Sequence, residues 1–176
     1  MAIPDTFQFR VPTRIINGVG AVDKTAEEVK GFGCRRVFIV TDKGLVSAGI
    51  VDRVTEVLKK AGLEFRIFDE VEPNPRSKTM DRAAKICRDE KCDSVLGVGG
   101  GSPMDTAKAV GVLMSHEGSV LHYVYGGGKQ VVNPLPPIIC IPTTYGTGSE
   151  VTMFSVVTDE STKFKTAIGN PMIIPK

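Results

Sequence analysis

The sequence predicts an α/β fold: a Rossmann-like parallel sheet with helices on both faces, plus a β-hairpin. Three observations carry this. Short β-branched apolar runs alternate with segments of helical period, which implies parallel strands joined by crossover helices. The run over 94–98, SVLGV, is apolar without alternation, as a strand covered on both faces must be. Glycine-rich and hydroxyl-rich loops directly follow strands, and ligands of open parallel sheets sit at the strands' carboxyl ends. The chain has 176 residues, one domain's worth, with 41% hydrophobic and 24% charged residues. That is enough to bury a core without staples. A formal net charge of +2 argues against a nucleic-acid or membrane-surface binder.

Along the chain, residues 6–10 and 14–18 are candidate first strands, followed by a helix near 21–30. Residues 35–41, RRVFIVT, form a strand that ends at Asp42-Lys43-Gly44. A helix over 47–61 then places Ile50, Val54, Val57 and Leu58 on one face, and Gly62 stops it. A strand over 63–68 leads to the turn Pro73-Asn74-Pro75, and Ser77 caps a helix to about residue 91. After the strand over 94–98 come Gly99-Gly100-Gly101-Ser102-Pro103 and a helix to about residue 114. Residues 115–137 read as a loop, 138–141 as a fourth strand, and 151–158 with 164–168 as a hairpin around residues 159–162.

The strongest chemical signal is VGGGSPMD over 98–105. Gly99, Gly100 and Gly101 after a buried strand let backbone approach a ligand closely. Ser102 is placed to be the N-cap and Pro103 the first helical residue, so the helix opens with free N–H groups and a positive dipole end. Such an end binds phosphate. The usual dinucleotide and P-loop fingerprints are both absent. Gly126-Gly127-Gly128-Lys129 lacks a following Ser or Thr and reads as a flexible loop. Asp42 alone is a turn or cap aspartate; beside a phosphate loop, the better reading is an acceptor for a ribose diol. PTTYGTGSEV over 142–151 offers Thr143, Thr144, Thr147 and Ser149 at a strand's carboxyl end, suited to an amide or further phosphate oxygens. Asp105, on the first turn of the glycine-loop helix, either bonds backbone N–H groups there or faces a substrate cleft. Lys165 lies in the hairpin.

The two histidines, His116 and His122, have no paired acid and read as surface residues, so no metal set is expected. The four cysteines show no metal-binding or redox spacing and read as reduced thiols of a cytoplasmic protein. Neither a signal peptide nor a membrane span is expected.

GGGSPMDTAKA and PTTYGTGSEVT resemble the two N-terminal signatures of the iron-containing (group III) alcohol dehydrogenases. IVTD before Gly44, EPNP over 72–75 and VVTDE over 156–160 extend the likeness along nearly the whole chain. The resemblance implies an NAD(P)-dependent oxidoreductase that interconverts small alcohols and aldehydes or ketones, residues 1–176 being its cofactor-binding domain. Gly100, Gly101 and Ser102, with Gly99 beside them, match pyrophosphate contacts. Asp42 matches the ribose position, where an acid goes with NAD rather than NADP. Asn74, Thr143, Thr144, Thr147 and Lys165 match further cofactor contacts, and Asp105 a motif acid near cofactor and cleft. The position between Thr152 and Ser155 is polar in some members, and Phe154 departs from that pattern. The family's metal, usually Fe²⁺, is held by one Asp and three His of a second, all-helical domain that this chain lacks. The resemblance therefore implies a homo-oligomeric enzyme of which the 176 residues alone bind NAD weakly and are inactive. Two other readings stand beside it: the NAD-binding half of a glycerol dehydrogenase or dehydroquinate synthase-like enzyme, and a naturally truncated, non-catalytic nucleotide-binding module.

Overall fold

The structure, a computed structural model, describes residues 11–176. Four parallel strands, β1 (Arg36–Val40), β2 (Glu64–Phe68), β3 (Ser94–Gly99) and β4 (Ile138–Pro142), lie in the order β2-β1-β3-β4. The hairpin pairs β5 (Phe154–Thr158) with β6 (Lys165–Gly169). The helices are α1 (Thr25–Gly31), α2 (Lys43–Ser47), α3 (Ile50–Lys60), α4 (Ser77–Asp89) and α5 (Gly101–Ser115). No helix among the described residues is long and apolar enough to cross a membrane.

Side chains alternate across the sheet and build two cores. Val37 and Ile39 of β1 with Leu96 and Val98 of β3 meet Val29 of α1 and Val51, Val54 and Leu58 of α3. Phe38, Val40 and Val95 meet Met80, Ala83 and Cys87 of α4, then Ala107, Val110 and Leu113 of α5, and finally Val157 and Ile168 of the hairpin. α5 is thus sandwiched between sheet and hairpin. Gly97 makes this close: a Cβ there would lie 3.0 Å from Ala107 Cβ and 3.1 Å from Met104 Cα.

Several boundaries depart from expectation. Residues 14–18 form no strand among the described residues; Ile15 and Ile16 instead line a cavity of about 500 Å³ beside Ile139 and Ile141 of β4. The candidate strand over 6–10 lies outside the described residues. The helix near 21–30 starts as a 3-10 turn, Ala21–Lys24, before α1. The helix expected over 47–61 starts only at Ile50, as α3, and a separate α2 precedes it, because Gly49 takes a left-handed φ of 72° between them. The break turns Ile50 outward, 42% exposed, and Val51 inward. Arg76, not Ser77, occupies the N-cap of α4. Glu72 Oε1 secures that end, accepting from Arg76 N–H at 3.0 Å and from the Thr79 hydroxyl at 2.9 Å.

His116 is buried rather than on the surface. Its Nδ1 bonds the Val112 carbonyl at 2.9 Å, and its Nε2 accepts from Val132 N–H and Asn133 N–H at 3.0 Å each. The ring fastens the long loop after α5 by satisfying backbone that has no strand partner. His122 is exposed, and its Nδ1 accepts from Ser119 N–H.

Candidate functional site

The glycine-rich segment owes its shape to one bond and one clash. Gly99, the last residue of β3, has φ 149°, and a Cβ there would sit 2.6 Å from Pro103 Cγ. Only glycine fits such a turn. The N-cap of α5 is Gly100, not Ser102, so the cap position carries no side chain. Extended backbone at Gly100 puts Gly101 into the helix already, which moves Ser102 and Pro103 two positions further inside. The N–H groups of Gly100, Gly101 and Ser102 find no hydrogen-bond acceptor among the described residues. The expectation of an open helix start stands, but the missing cap, rather than a serine cap, creates it.

The threonine-rich loop lies against this end. β4 pairs Pro142 with Gly99, and Thr143 N–H donates to the Gly99 carbonyl at 2.9 Å. A Cβ on Gly100 would lie 3.1 Å from Thr144 Oγ1, and one on Gly101 would lie 3.5 Å from Thr147 Cβ. Thr143, Thr144 and Thr147 are all exposed. Two loops separate in sequence therefore meet over one helix end, with three free N–H donors and the hydroxyls of Thr143, Thr144 and Thr147, of which that of Thr147 also accepts from Ser149 N–H at 3.3 Å.

Asp42 stands just beyond β1, the neighbour of β3. Its Oδ1 accepts from Leu45 N–H at 3.0 Å and caps α2, so the cap reading holds for that oxygen. Leu45 Cδ1 in turn would be 3.1 Å from a Cβ on Gly99, so Asp42 flanks the glycine loop.

Asn74 has a left-handed φ of 56°, and its carbonyl accepts from Thr158 Oγ1 at 3.2 Å. Thr158 is the ladder partner of Lys165, whose side chain is exposed. The hairpin thus gathers Asn74 and Lys165, and its connection to the glycine loop runs through β5 and α5.

Asp105 is buried, and the reading that it bonds backbone at its own helix start is not what the structure shows. Its Oδ1 accepts from Ser149 Oγ at 2.6 Å and its Oδ2 from Val156 N–H at 3.1 Å. Its own carbonyl accepts from Ser155 Oγ at 2.7 Å. Burial pushes the carboxyl above the usual carboxylate range, opposed by the Ser149 hydroxyl, Lys108 and Val156 N–H. Lys108, unmarked in the sequence reading, is fully buried one turn further along α5. The signal that could have found it was a lone cation amid Ala, Val and Leu over 103–113.

The family model of the iron-containing alcohol dehydrogenases matches residues 12–176. The chain belongs to the iron-containing alcohol dehydrogenases. Among relatives in this family, the choline dehydrogenase of Bacillus subtilis is 48% identical over 166 residues, which cover 94% of this chain and 41% of that protein. The 1,3-propanediol dehydrogenase of Klebsiella pneumoniae is 41% identical over 92% of this chain and 42% of its own. The NADH-dependent butanol dehydrogenase A of Thermotoga maritima superposes with a TM-score of 0.90 at 35% identity, over 97% of this chain and 43% of that one. The sulfoacetaldehyde reductase of Bifidobacterium kashiwanohense in complex with NAD⁺ superposes at 0.86 and 30% identity, over 98% and 45%. The chain spans less than half the length of these relatives.

The glycine loop fits a diphosphate, because it is a cradle that a Cβ would fill and it leaves N–H groups unpaired. The described residues do not fit a metal ion: no group of three or more His, Cys, Asp or Glu among them converges. The His116 nitrogens are both engaged by backbone.

Proposed function

We propose that residues 1–176 form the nicotinamide-cofactor domain of an oxidoreductase acting on a small alcohol or aldehyde. The observation that carries this reading is the uncapped start of α5, with three unpaired N–H groups beneath exposed threonines. In it, the N–H groups of Gly100, Gly101 and Ser102 hold the pyrophosphate, each bond to a charged acceptor contributing roughly 1.5–3 kcal/mol. Thr144 and Thr147 close over the same phosphates, while Thr143, Asn74 and Lys165 extend the contacts toward the nicotinamide. Asp42 accepts from the adenosine ribose through its uncommitted oxygen, which favours NAD and repels the 2′-phosphate of NADP. Asp105, with both oxygens engaged by protein donors, acts on the site by holding Ser149 and β5.

The cofactor, when bound, supplies C4 of its nicotinamide ring as the hydride donor or acceptor. This reading places no metal on the described residues, where no group of three or more His, Cys, Asp or Glu converges. Self-association would cover exposed Ile15, Val19 and Phe164. The 176 residues alone bind NAD⁺ weakly and do not turn over. Calorimetry with NAD⁺ and NADP⁺, and an assay with butanol or propanediol plus Fe²⁺ or Zn²⁺, test this. Robust turnover by the 176-residue chain, or no difference between NAD⁺ and NADP⁺, overturns the corresponding part.

A further inference from the structure

Lys108 is the one charged side chain among the largest wholly buried ones. Around it, α5 from Pro103 to Leu113 is otherwise made of small and aliphatic residues with Asp105 and Thr106. Burying an ammonium group costs several kcal/mol after relaxation, and a well-packed apolar side chain of similar volume is commonly neutral or better for stability. Packing therefore does not account for a lysine here.

What distinguishes the lysine is where its donors go. Nζ donates to the Phe154 carbonyl at 2.7 Å, with Thr152 Oγ1 at 3.5 Å and Asp105 Oδ1 at 3.8 Å. Phe154 begins β5, and Thr152 ends the loop that carries Thr143, Thr144 and Thr147. Asp105 holds the same stretch from its other side, through Ser149 and Val156. The pair, one turn apart on α5, thus grips both ends of residues 149–156. Ser149 N–H reaches Thr147 Oγ1 at 3.3 Å, and Thr147 packs on Gly101. A chain of contacts runs from the buried ammonium to the helix end.

We infer that Lys108 is a positioning residue: with Asp105 it sets the threonine loop and β5 over the uncapped start of α5. This rests on the cofactor reading for its consequence, though not for its mechanical part. Lys108 touches none of the atoms that would meet the cofactor. It fixes a main-chain carbonyl, which an apolar residue at this position could not do.

The test compares Lys108→Met and Lys108→Arg with the parent chain, by amide hydrogen exchange without ligand and by NAD⁺ calorimetry. In the Met variant the amides of residues 147–157 should lose at least tenfold in protection, while those of β1 and β3 keep theirs. The dissociation constant for NAD⁺ should rise about tenfold, and Arg should restore part of both. Unchanged exchange at 147–157, or uniform loss across the sheet as well, overturns the proposal. If the parent binds no NAD⁺, the cofactor reading fails, and the exchange measurement alone still decides the mechanical role. Should Met prevent folding, Lys108→Gln, which keeps a donor without the charge, takes its place; failure of both to fold marks a core-stability residue and overturns the proposal.

Discussion

Two helices start at the carboxyl ends of neighbouring strands, and they end their backbones in opposite ways. After β1, Asp42 supplies a carboxylate that takes the Leu45 N–H and closes α2 with its own side chain. After β3, Gly100 supplies nothing, and the first N–H groups of α5 stay open. A capping side chain and an anion compete for the same donors. The difference shows that the protein closes the donors of one helix start and leaves those of the other open, and the proposed function makes the open one the binding site. Asp42 commits one oxygen to its helix, and the proposed function gives the other to a ribose.

The contrast is broken most severely at Gly99. Gly99→Ala forces a Cβ within 2.6 Å of Pro103 Cγ at a φ of 149°. Backbone strain there costs roughly 1–3 kcal/mol, and the overpacking roughly another 1–3 kcal/mol. A lower midpoint in urea unfolding and loss of measurable NAD⁺ binding are expected; an unchanged midpoint would show that the turn is not constrained.

Gly100→Asp makes α5 resemble α2 by installing a capping carboxylate. Stability should change by about 1 kcal/mol or less, while NAD⁺ affinity falls at least tenfold, because the donors are taken and a negative charge faces the phosphates. Calorimetry that finds affinity retained would remove the diphosphate assignment.

The converse change, Asp42→Gly, makes α2 resemble α5. It should cost only a few tenths of a kcal/mol and narrow the preference for NAD⁺ over NADP⁺, read as the ratio of their dissociation constants. An unchanged ratio removes Asp42 from the ribose.

The smallest effect concerns Cys140, on β4 beneath the threonine loop. Burial pushes its thiol up from 9.0 to about 12. The folded state thus holds this proton more tightly than the unfolded chain does. Its contribution to stability is complete below pH 9 and lost as pH rises toward about 12. Cys140→Ser should flatten that part of the stability–pH curve in urea titrations. A slope identical to the parent's would show that Cys140 is not its source.

Much of the architecture was open to sequence reading. Apolar runs over 35–41, 63–68, 94–98 and 138–141 each became a parallel strand, and the hairpin turn fell at residues 159–162. These elements are local: period, β-branching and glycine placement decide them within a few residues. The boundaries that moved were decided by single backbone conformations, such as the left-handed Gly49 that splits α2 from α3 and turns Ile50 outward. The candidate site divides in the same way. Gly99 to Ser102, Asp42 and the threonines stand out by composition and by position after strands. His116 does not, because a histidine bonded to the Val112 carbonyl looks in sequence like any surface residue, and Lys108 shows only as a lone cation in an apolar run, without its Phe154 partner.

By itself, then, the sequence determined the alternation of strands and helices, the glycine-lined helix start and the family to which both belong. Tertiary structure alone decided that Gly100 rather than Ser102 holds the cap position. It also decided that the threonine loop lies against Gly100 and Gly101, and that an ammonium group sits sealed between α5 and β5. The physical reason is range. Propensity and periodicity act between residues a few positions apart, whereas a carbonyl's partner 46 positions away exists only once the chain has packed.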